Sequence, residues 1–368
     1  MPKAQETVLE INLSALKHNV TFIKSKLKSD IKFLAVVKAY AYGSDAVEIA
    51  KYLENLNVHY FAVAYTSEGV ALRDAGIETP ILVLHAQPDN FKTIIERCLE
   101  PSIYSTRVLN KFLAVAEVNN QKNFPIHLKF NTGLNRLGFA ENEVETIIKT
   151  LNTTETVKVK SLFSHLAASE DEDEKDFTLN QIKNFKYIAK KITDHLGYQP
   201  ILHQSNTSGI LNYPEAHFNM VRCGIGLYGF ANNPEINKNL KPIATLKTSI
   251  SQIHNLKKGD SLGYNRAFIA EKDTKTATLP IGHADGINRL FGNGNGFVFI
   301  KNKKAYIIGN VCMDMIMVDI TNISCEEGDQ VIVFGPQNSA ENLAESINSI
   351  SYEVLTSVSQ RVKRVFYR

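Results

Sequence analysis

The sequence lacks a long apolar run, a strong net charge and a paired spacing of cysteines. No stretch approaches the roughly 20 apolar residues of a membrane-spanning helix, and residues 1–12 contain no apolar core typical of a signal peptide. A net charge of +3 on 368 residues argues against nucleic acid or an anionic membrane as a partner. The cysteines lie far apart, at Cys98, Cys223, Cys312 and Cys325. We therefore expect no metal site, reduced thiols and a cytoplasmic protein.

Eight short apolar runs in the N-terminal part of the chain predict the strands of a (β/α)8 TIM-like barrel, because helical patterns lie between most of them. The runs are Phe33–Val37, Tyr60–Val63, Ile81–Leu84, Pro101–Tyr104, Ile126–Phe130, Val159–His165, Ile201–His203 and Met220–Arg222. A short strand at Val8–Ile11 and an amphipathic helix starting at Leu13 precede them. We expect the barrel to span residues 12–235.

The C-terminal part of the chain predicts a mostly-β domain over residues 236–368, joined by the strand in residues 1–11. Its β-like runs are Thr245–Ile253, Thr276–Ile281, Phe297–Ile300, Ala305–Ile308, Val318–Ile320 and Val331–Phe334. One helical stretch falls near Ala340–Ile347. The glycine-rich segment Gly292–Gly296 predicts a hairpin turn.

Polar residues stand at the C-terminal ends of the predicted barrel strands, where barrel enzymes collect their catalytic groups. Lys38 ends the first apolar run, and a partly desolvated lysine can form a Schiff base with a carbonyl compound. Taken alone, this position favours a lysine in a solvated loop. Further polar groups at or just after the other strand ends make a site the better interpretation, namely Tyr42, Lys129, Arg136, His165, His203, Asn206, Thr207 and Arg222.

The segment Gly224–Gly229 matches the G-x-G-x-x-G pattern, but no helix pattern follows it, which argues against a dinucleotide site. Small residues after the last barrel strand still leave backbone amides free to bind a phosphate, and Thr207 fits the same place. A Schiff-base lysine and a phosphate site in one barrel indicate pyridoxal 5'-phosphate. Arg222 cannot accept a proton from the pyridine nitrogen, so the ring would be a weaker electron sink, as suits a racemase.

Five ordered segments resemble the alanine racemases, which are fold-type-III pyridoxal-phosphate enzymes. They are Ala35–Gly43, Leu128–Gly138, Met220–Gly229, Gly309–Met315 and Ser351–Thr356. The resemblance covers essentially the whole chain and is greatest to the racemase half of bacterial ligase–racemase fusions. It implies interconversion of L- and D-alanine by two bases, which supplies D-alanine for peptidoglycan.

The resemblance also implies roles for individual residues. Lys38 carries the cofactor as an aldimine and is one base, and Tyr264 from the second subunit of a homodimer is the other. The remaining cofactor-binding positions are Tyr42, His165, Asn206, Thr207, Arg222, Gly224, Ile225 and Tyr352. Arg136 and the Met313 backbone bind the substrate carboxylate. Supporting roles fall to Lys129, which is carbamylated in many members, to His203 beside Arg222, and to Asp314.

The chain departs from the family pattern at Tyr40, Ser44, Asp45, His283 and Asn310. None of these changes removes a base or a cofactor contact, but His283 and Asn310 leave substrate size open. The alternatives are a racemase of serine or of broader specificity, a decarboxylase of basic amino acids on the same fold, and a non-catalytic pyridoxal-phosphate carrier. The acidic run Glu170–Glu174 is read as a solvated loop, with an electrostatic effect on the site entrance as the alternative.

Overall fold

The computed structural model describes residues 7–231 and 233–368. After β1 (Val8–Asn12) and α1 (Leu13–Lys24), eight parallel strands form one sheet that curves into a barrel. These strands are β2 (Lys32–Val36), β3 (Tyr60–Val63), β4 (Ile81–Val83), β5 (Glu100–Ile103), β6 (Phe124–Lys129), β7 (Val157–Phe163), β8 (Ile201–His203) and β9 (Met220–Cys223). The helices that follow them are α2 (Ala46–Glu54), α3 (Thr66–Asp74), α4 (Phe91–Glu96), α5 (Thr106–Val118), α6 (Val144–Leu151), α7 (Lys175–Leu196) and α8 (Thr207–Asn212).

The barrel strands are buried because side chains fill the interior on one face and helices cover the other. The sheet order is β8-β7-β6-β5-β4-β3-β2-β9, with every neighbouring pair parallel. Two hydrogen bonds close the remaining gap between β8 and β9, from the Asn219 amide to the Leu202 carbonyl (3.0 Å) and from the Arg222 amide to the Ser205 carbonyl (3.1 Å). The predicted barrel is confirmed, and no strand end differs from the predicted one by more than two residues.

The second sheet is formed mostly by the C-terminal part of the chain. Its strands and helices are α9 (Pro234–Asn237), β10 (Ala244–Ser249), β11 (Gln252–Leu256), β12 (Ser261–Leu262), β13 (Phe268–Ile269), β14 (Thr274–Leu279), β15 (Phe297–Ile300), β16 (Lys303–Ile308), β17 (Ile316–Asp319), β18 (Gln330–Phe334), α10 (Ala340–Glu345), α11 (Ser351–Ser357) and β19 (Lys363–Tyr367). Apart from the small β12–β13 pair, the order is β11-β14-β17-β16-β15-β18-β10-β1-β19. β1 lies between β10 and β19 in this sheet, and the predicted division into residues 12–235 and residues 236–368 with 1–11 stays a prediction.

Two local predictions in this part of the chain were wrong. The alternating run Thr245–Ile253 contains two strands, β10 and β11, rather than one. The segment Gly292–Gly296 precedes β15, and the β15–β16 hairpin turns instead at Lys301 and Asn302, whose φ angles are 47° and 63°. Glycine is required at position 292 for a different reason, because a Cβ there would lie 2.8 Å from the Gly309 carbonyl oxygen.

Among the described residues, no helix combines the length and the apolar character needed to cross a lipid bilayer.

Candidate active site

A cavity of about 670 Å³ opens at the C-terminal ends of the barrel strands. Eleven of the predicted site residues line it, namely Lys38, Tyr42, Lys129, Arg136, His165, Asn206, Thr207, Arg222, Gly224, Ile225 and Tyr352. His203 is fully buried and contacts Arg222. The other three predicted residues, Tyr264, Met313 and Asp314, line a separate concavity of about 660 Å³ beside β12 and β14. The chain therefore brings most of the predicted site together and leaves these three apart.

Lys38 follows β2 and begins a left-handed turn that the sequence does not predict. The next four residues, Ala39 to Tyr42, have φ angles of 52°, 55°, 52° and 52°. None of them is glycine, and the left-handed conformation costs roughly 1–2 kcal/mol for each such residue. Consecutive residues of this kind persist only where the surrounding structure holds them.

Contacts from distant parts of the chain hold this turn. The Ala39 amide donates to the Glu68 carboxylate at 2.7 Å. The carbonyl of Gly43 accepts from Nε and NH2 of Arg364 at 3.0 and 2.9 Å. A Cβ on Gly43 would lie 2.3 Å from the Leu355 carbonyl oxygen, so the backbone of α11 packs directly on the turn. Glu68 is a site residue that the sequence reasoning missed, since a glutamate in a helical pattern resembles an ordinary surface charge.

Two of the departures from the family pattern, Tyr40 and Asp45, contact each other. The Tyr40 hydroxyl donates to Asp45 Oδ2 at 2.9 Å, and burial together with this hydrogen bond raises the pKa of Tyr40. Asp45 Oδ1 accepts from the amides of Val47 and Glu48 and so caps α2. The two changes therefore form one hydrogen-bonded unit at the end of the left-handed turn.

The cavity carries an excess of positive charge. Lys38, Lys129, Arg136 and Arg222 line it, and Glu170 is the one carboxylate among the described residues that do so. Burial and the charge of Arg136 lower the pKa of Lys38, with Glu68 opposing them. Burial, then Arg136, Arg222 and Lys38, lower the pKa of Lys129 to about 8. Such a site favours an anion, and it gives both lysines more of the neutral, nucleophilic form.

Arg222 is held by four neighbouring residues. Its NH1 donates to His203 Nδ1 at 2.8 Å and to the His203 carbonyl at 3.2 Å. Its NH2 donates to the carbonyls of Ser164 and Gln204 and to His165 Nδ1 at 3.0 Å. No residue in 7–231 or 233–368 accepts from its Nε–H. Arg222 therefore keeps one oriented donor for a molecule in the cavity.

The contact with Arg222 also determines the state of His165. A guanidinium only donates, so Nδ1 of His165 must accept and the ring proton lies on Nε2. Burial and the charge of Arg222 hold the pKa of His165 well below its ordinary value. His165 is thus a neutral, flat ring at the wall of the cavity near pH 7.

The segment after β9 forms a close-packed cup with Tyr42 and Thr207. Thr207 Oγ1 accepts from the amides of Gly224 and Gly226 at 3.2 and 3.3 Å. A Cβ at position 224 would lie 2.6 Å from the Tyr42 hydroxyl oxygen, so a larger residue there would force the Tyr42 side chain to move. The Tyr42 ring stacks on Tyr228 with centroids 4.4 Å apart. Asn206 Oδ1 accepts from the Gly209 amide at 2.8 Å and thereby begins α8 at the edge of the cup.

Tyr264 and Met313 lie on the surface of the second sheet. Their exposed fractions are 75% and 59%. Asn310, another departure, donates from Nδ2 to the Tyr264 carbonyl at 3.3 Å. The Ala284 amide donates to the Met313 carbonyl at 3.0 Å.

An ion-pair triad fixes the loop that carries Met313. Arg361 bridges Asp285 and Asp314, with a distance of 2.7 Å to each. The amide of His283 donates to the Cys312 carbonyl at 2.9 Å, so the His283 departure changes a side chain and keeps this backbone contact. The supporting position of Asp314 is therefore beside the Met313 backbone.

Comparison with known proteins matches both halves of the chain. The family "Alanine racemase, N-terminal domain" matches residues 11–232, and "Alanine racemase, C-terminal domain" matches residues 243–366. The chain belongs to the alanine racemase family. The racemase fold and the predicted family resemblance are thereby confirmed.

Individual alanine racemases match this chain over nearly its full length. An alanine racemase from Halothermothrix orenii is 35% identical over 98% of this chain and 96% of its own. The solved alanine racemase of Clostridium difficile 630 has a TM-score of 0.92 at 35% identity, covering 98% of this chain and 96% of its own. That of Bartonella henselae, described with covalently bound pyridoxal phosphate, has a TM-score of 0.90 at 28% identity, covering 98% of this chain and 99% of its own.

Proposed function

We propose that this protein interconverts L- and D-alanine with pyridoxal phosphate held on Lys38. The observation that carries the proposal is a single cavity that contains a lysine of lowered pKa and an arginine with one unused donor. Membership of the alanine racemase family supports it, and so does the covalently bound cofactor of the Bartonella henselae relative. D-alanine made in this way would supply peptidoglycan synthesis, and the four free thiols favour a cytoplasmic enzyme.

The residues present fit pyridoxal phosphate. Glycine at 224 leaves a cradle that a Cβ would fill, and the surrounding cations suit a phosphate. Lys38 would hold the cofactor covalently, and the phosphate would be bound by Tyr42, Thr207, Tyr352 and the backbone at Gly224 and Ile225, with Asn206 at the edge of the cup. When bound, the cofactor ring withdraws electrons from the amino acid joined to it and makes the α-hydrogen acidic.

Arg222 sets the reaction type in this proposal. Its free Nε–H can donate to the pyridine nitrogen but cannot supply a full proton, because guanidinium keeps its charge in proteins. A carboxylate at this place would keep the nitrogen protonated. The arginine therefore argues against the decarboxylase alternative and favours a racemase with few side reactions. His165 provides the neutral ring that packs beside the cofactor.

The proposal assigns the second base to another copy of the chain. Racemisation removes a proton from one face of the α-carbon and returns one on the other, and Lys38 cannot easily reach both. Tyr264 is exposed and lines a different concavity from Lys38. In a homodimer with two-fold symmetry, this concavity of one subunit would cover the Lys38 cavity of the other. Met313 would then bring its backbone to the substrate carboxylate, opposite Arg136.

Complementation tests the shared site. Lys38→Ala and Tyr264→Phe homodimers should each be nearly inactive. Mixing equal amounts after mild dissociation should restore roughly a quarter of wild-type activity, because half of the dimers then contain one intact site. A monomeric enzyme would show no recovery on mixing.

Lys129 is proposed to be carbamylated. An ammonium beside Arg136 would repel it, whereas a carbamate would attract and orient it. The lowered pKa of Lys129 supports this modification, since the neutral amine is the form that reacts with carbon dioxide. Intact-protein mass spectrometry in bicarbonate, with Lys129→Met as control, tests it.

Exchange of the α-hydrogen tests the proposed function most directly. Alanine, serine, larger and basic amino acids are incubated with the holoenzyme in deuterium oxide while carbon dioxide release is followed. Exchange with alanine and no decarboxylation is the expected result. Exchange that is faster with serine would favour the broader racemase alternative, and the absence of exchange with every amino acid would leave the non-catalytic carrier.

A further inference from the structure

A chain of buried polar side chains runs from Arg222 through the interior of the barrel. Arg222 NH1 lies 2.8 Å from His203 Nδ1, and His203 Nε2 lies 2.9 Å from Ser161 Oγ. Ser161 Oγ lies 2.6 Å from His127 Nδ1, and His127 Nε2 lies 2.6 Å from Glu100 Oε2. The five residues stand on five consecutive strands in sequence, β5 to β9, and all of them are buried.

With both imidazoles neutral, the direction of every hydrogen bond in this chain follows from its first member. Arg222 can only donate, so His203 Nδ1 accepts and the His203 proton must be on Nε2. That proton is donated to Ser161, whose hydroxyl hydrogen then goes to His127 Nδ1. His127 in turn carries its proton on Nε2 and donates to the Glu100 carboxylate. All bonds therefore point from the guanidinium to the carboxylate.

Such an alignment strengthens each link. Successive hydrogen bonds that point the same way polarise one another, and the interior of the barrel excludes water that would weaken them. The two ends of the chain, Arg222 and Glu100, are groups of opposite charge. Burial and the charge of Arg222 hold the pKa of His203 well below its ordinary value, which agrees with a neutral imidazole in the chain.

Ser161 supports, from the other side of the ring, the accepting form of His203 that Arg222 requires. Without the Ser161 oxygen, the Nε2–H of His203 would lose its acceptor, and the proton could move to Nδ1. His203 would then present a donor to NH1 of Arg222, and the two groups would repel each other. Arg222 carries the free Nε–H of the cavity, so this change would alter the hydrogen bond between that Nε–H and a molecule in the cavity.

We propose that Ser161, His127 and Glu100 are positioning residues that lock the tautomer of His203 and thereby the orientation of Arg222. The inference rests on the proposed function for its effect on the reaction. The hydrogen-bond directions themselves do not depend on it. None of the three residues lines the Lys38 cavity, so they act on the reaction through His203 and the cavity residues that it contacts, Arg222 and Phe163.

The first readout is the tautomer of His203. Wild-type holoenzyme labelled with [15N]histidine has ten imidazoles to assign, and His203 and His127 should both be protonated at Nε2. Ser161→Ala should shift the two nitrogen resonances of His203 toward the Nδ1-protonated pattern. Ser102→Ala is the matched control, because Ser102 is a fully buried serine of β5, the strand that carries Glu100, and its hydroxyl has no partner among the described residues. Unchanged His203 resonances in Ser161→Ala would overturn the proposal.

The second readout is kinetic. Loss of one buried link predicts a fall in kcat for alanine of roughly three- to tenfold in Ser161→Ala, with KM changed less than about twofold. Pyruvate released per racemisation should rise severalfold, because a displaced Arg222 no longer restrains the ring nitrogen. Equal kcat and pyruvate yield in Ser161→Ala and Ser102→Ala would refute the positioning role.

A second variant covers the case in which Ser161→Ala fails to fold. Glu100→Gln keeps the shape and an acceptor oxygen but removes the charge at the end of the chain, so a smaller fall in kcat in the same direction is expected. Wild-type kinetics in Glu100→Gln would count against the proposal. If the wild-type protein exchanged no α-hydrogen at all, the proposed function would fail while the nitrogen resonances of His203 still decided the hydrogen-bond chain.

Discussion

A methyl group at position 224 tests the cup beside Tyr42. In Gly224→Ala the new Cβ would lie 2.6 Å from the Tyr42 hydroxyl oxygen and 3.5 Å from Cζ of the same ring. The second distance is an ordinary contact, whereas the first is far inside contact range. The hydroxyl oxygen of one side chain is therefore the obstacle.

Tyr42 cannot easily move away from this methyl group. The side chain is 6% exposed and stacks on Tyr228, whose hydroxyl donates to the Val36 carbonyl at 3.0 Å. Forcing extra volume into such a site costs typically about 1–3 kcal/mol. Tyr42→Phe removes the oxygen, so the double variant should regain at least about 1 kcal/mol relative to the sum of the single changes.

Urea unfolding of the cofactor-free protein measures the two single variants and the double variant. Pyridoxal-phosphate affinity is measured separately, and it should stay low in the double variant because the phosphate has lost the Tyr42 hydroxyl. Stability thus recovers while affinity does not. Strict additivity of the two unfolding free energies would refute the contact as the cause.

Three further outcomes are expected. The pKa of Lys129 is about 8 in the folded chain against an ordinary value of 10.5, so the unfolded chain binds more protons between these two pH values. In urea titrations without carbon dioxide, the free energy of unfolding of the wild type should therefore rise relative to that of Lys129→Met by about 3 kcal/mol as the pH increases from 8 to 10.5. A difference that does not change with pH would contradict the lowered pKa. Tyr264→Phe should slow α-deuterium exchange far more for one alanine enantiomer than for the other, and equal loss for both would contradict its role as one of two bases. Arg364→Met should lower the free energy of unfolding by about 2–4 kcal/mol in thermal unfolding, because the carbonyls of Gly43, Ser359 and Val358 lose their hydrogen-bond donor. A change within about 0.5 kcal/mol would show that water replaces the guanidinium as the donor.

The barrel was predictable because its strands are short apolar runs at regular spacing. The strand ends were predicted less well, since residues such as Lys32 and Glu100 pair within the sheet although their side chains are charged. The hairpin at Lys301 and Asn302 was missed because asparagine and lysine in a polar stretch are a weaker turn signal than the glycines nearby. Of those glycines, Gly292 and Gly296 leave no room for a Cβ, whereas Gly294 lies in open space with a φ of 87°.

The cavity lining was predictable from the strand ends and the family motifs, but its supports were not. The left-handed turn after Lys38 contains only alanine and tyrosine, which normally avoid that conformation. Glu68 and Arg364 are distant in sequence and contact the turn only in the folded chain. His127 and Ser161 lie within strands, where polar residues resemble solvent-facing positions until the closed barrel turns them inward.

The place of β1 in the second sheet has a consequence for how the chain is made. Val8, Leu9 and Ile11 end up buried between β10 and β19, and Val8 pairs in register with Lys363. At about 5–20 residues per second, synthesis of the residues from β1 to β19 takes roughly 20–70 s. The barrel residues are complete long before then, so a nascent chain can close its barrel while this apolar strand still has an open edge. Until β19 is made, β1 can therefore pair with an open edge of another chain, and a chain that stops short of β19 keeps that edge open permanently.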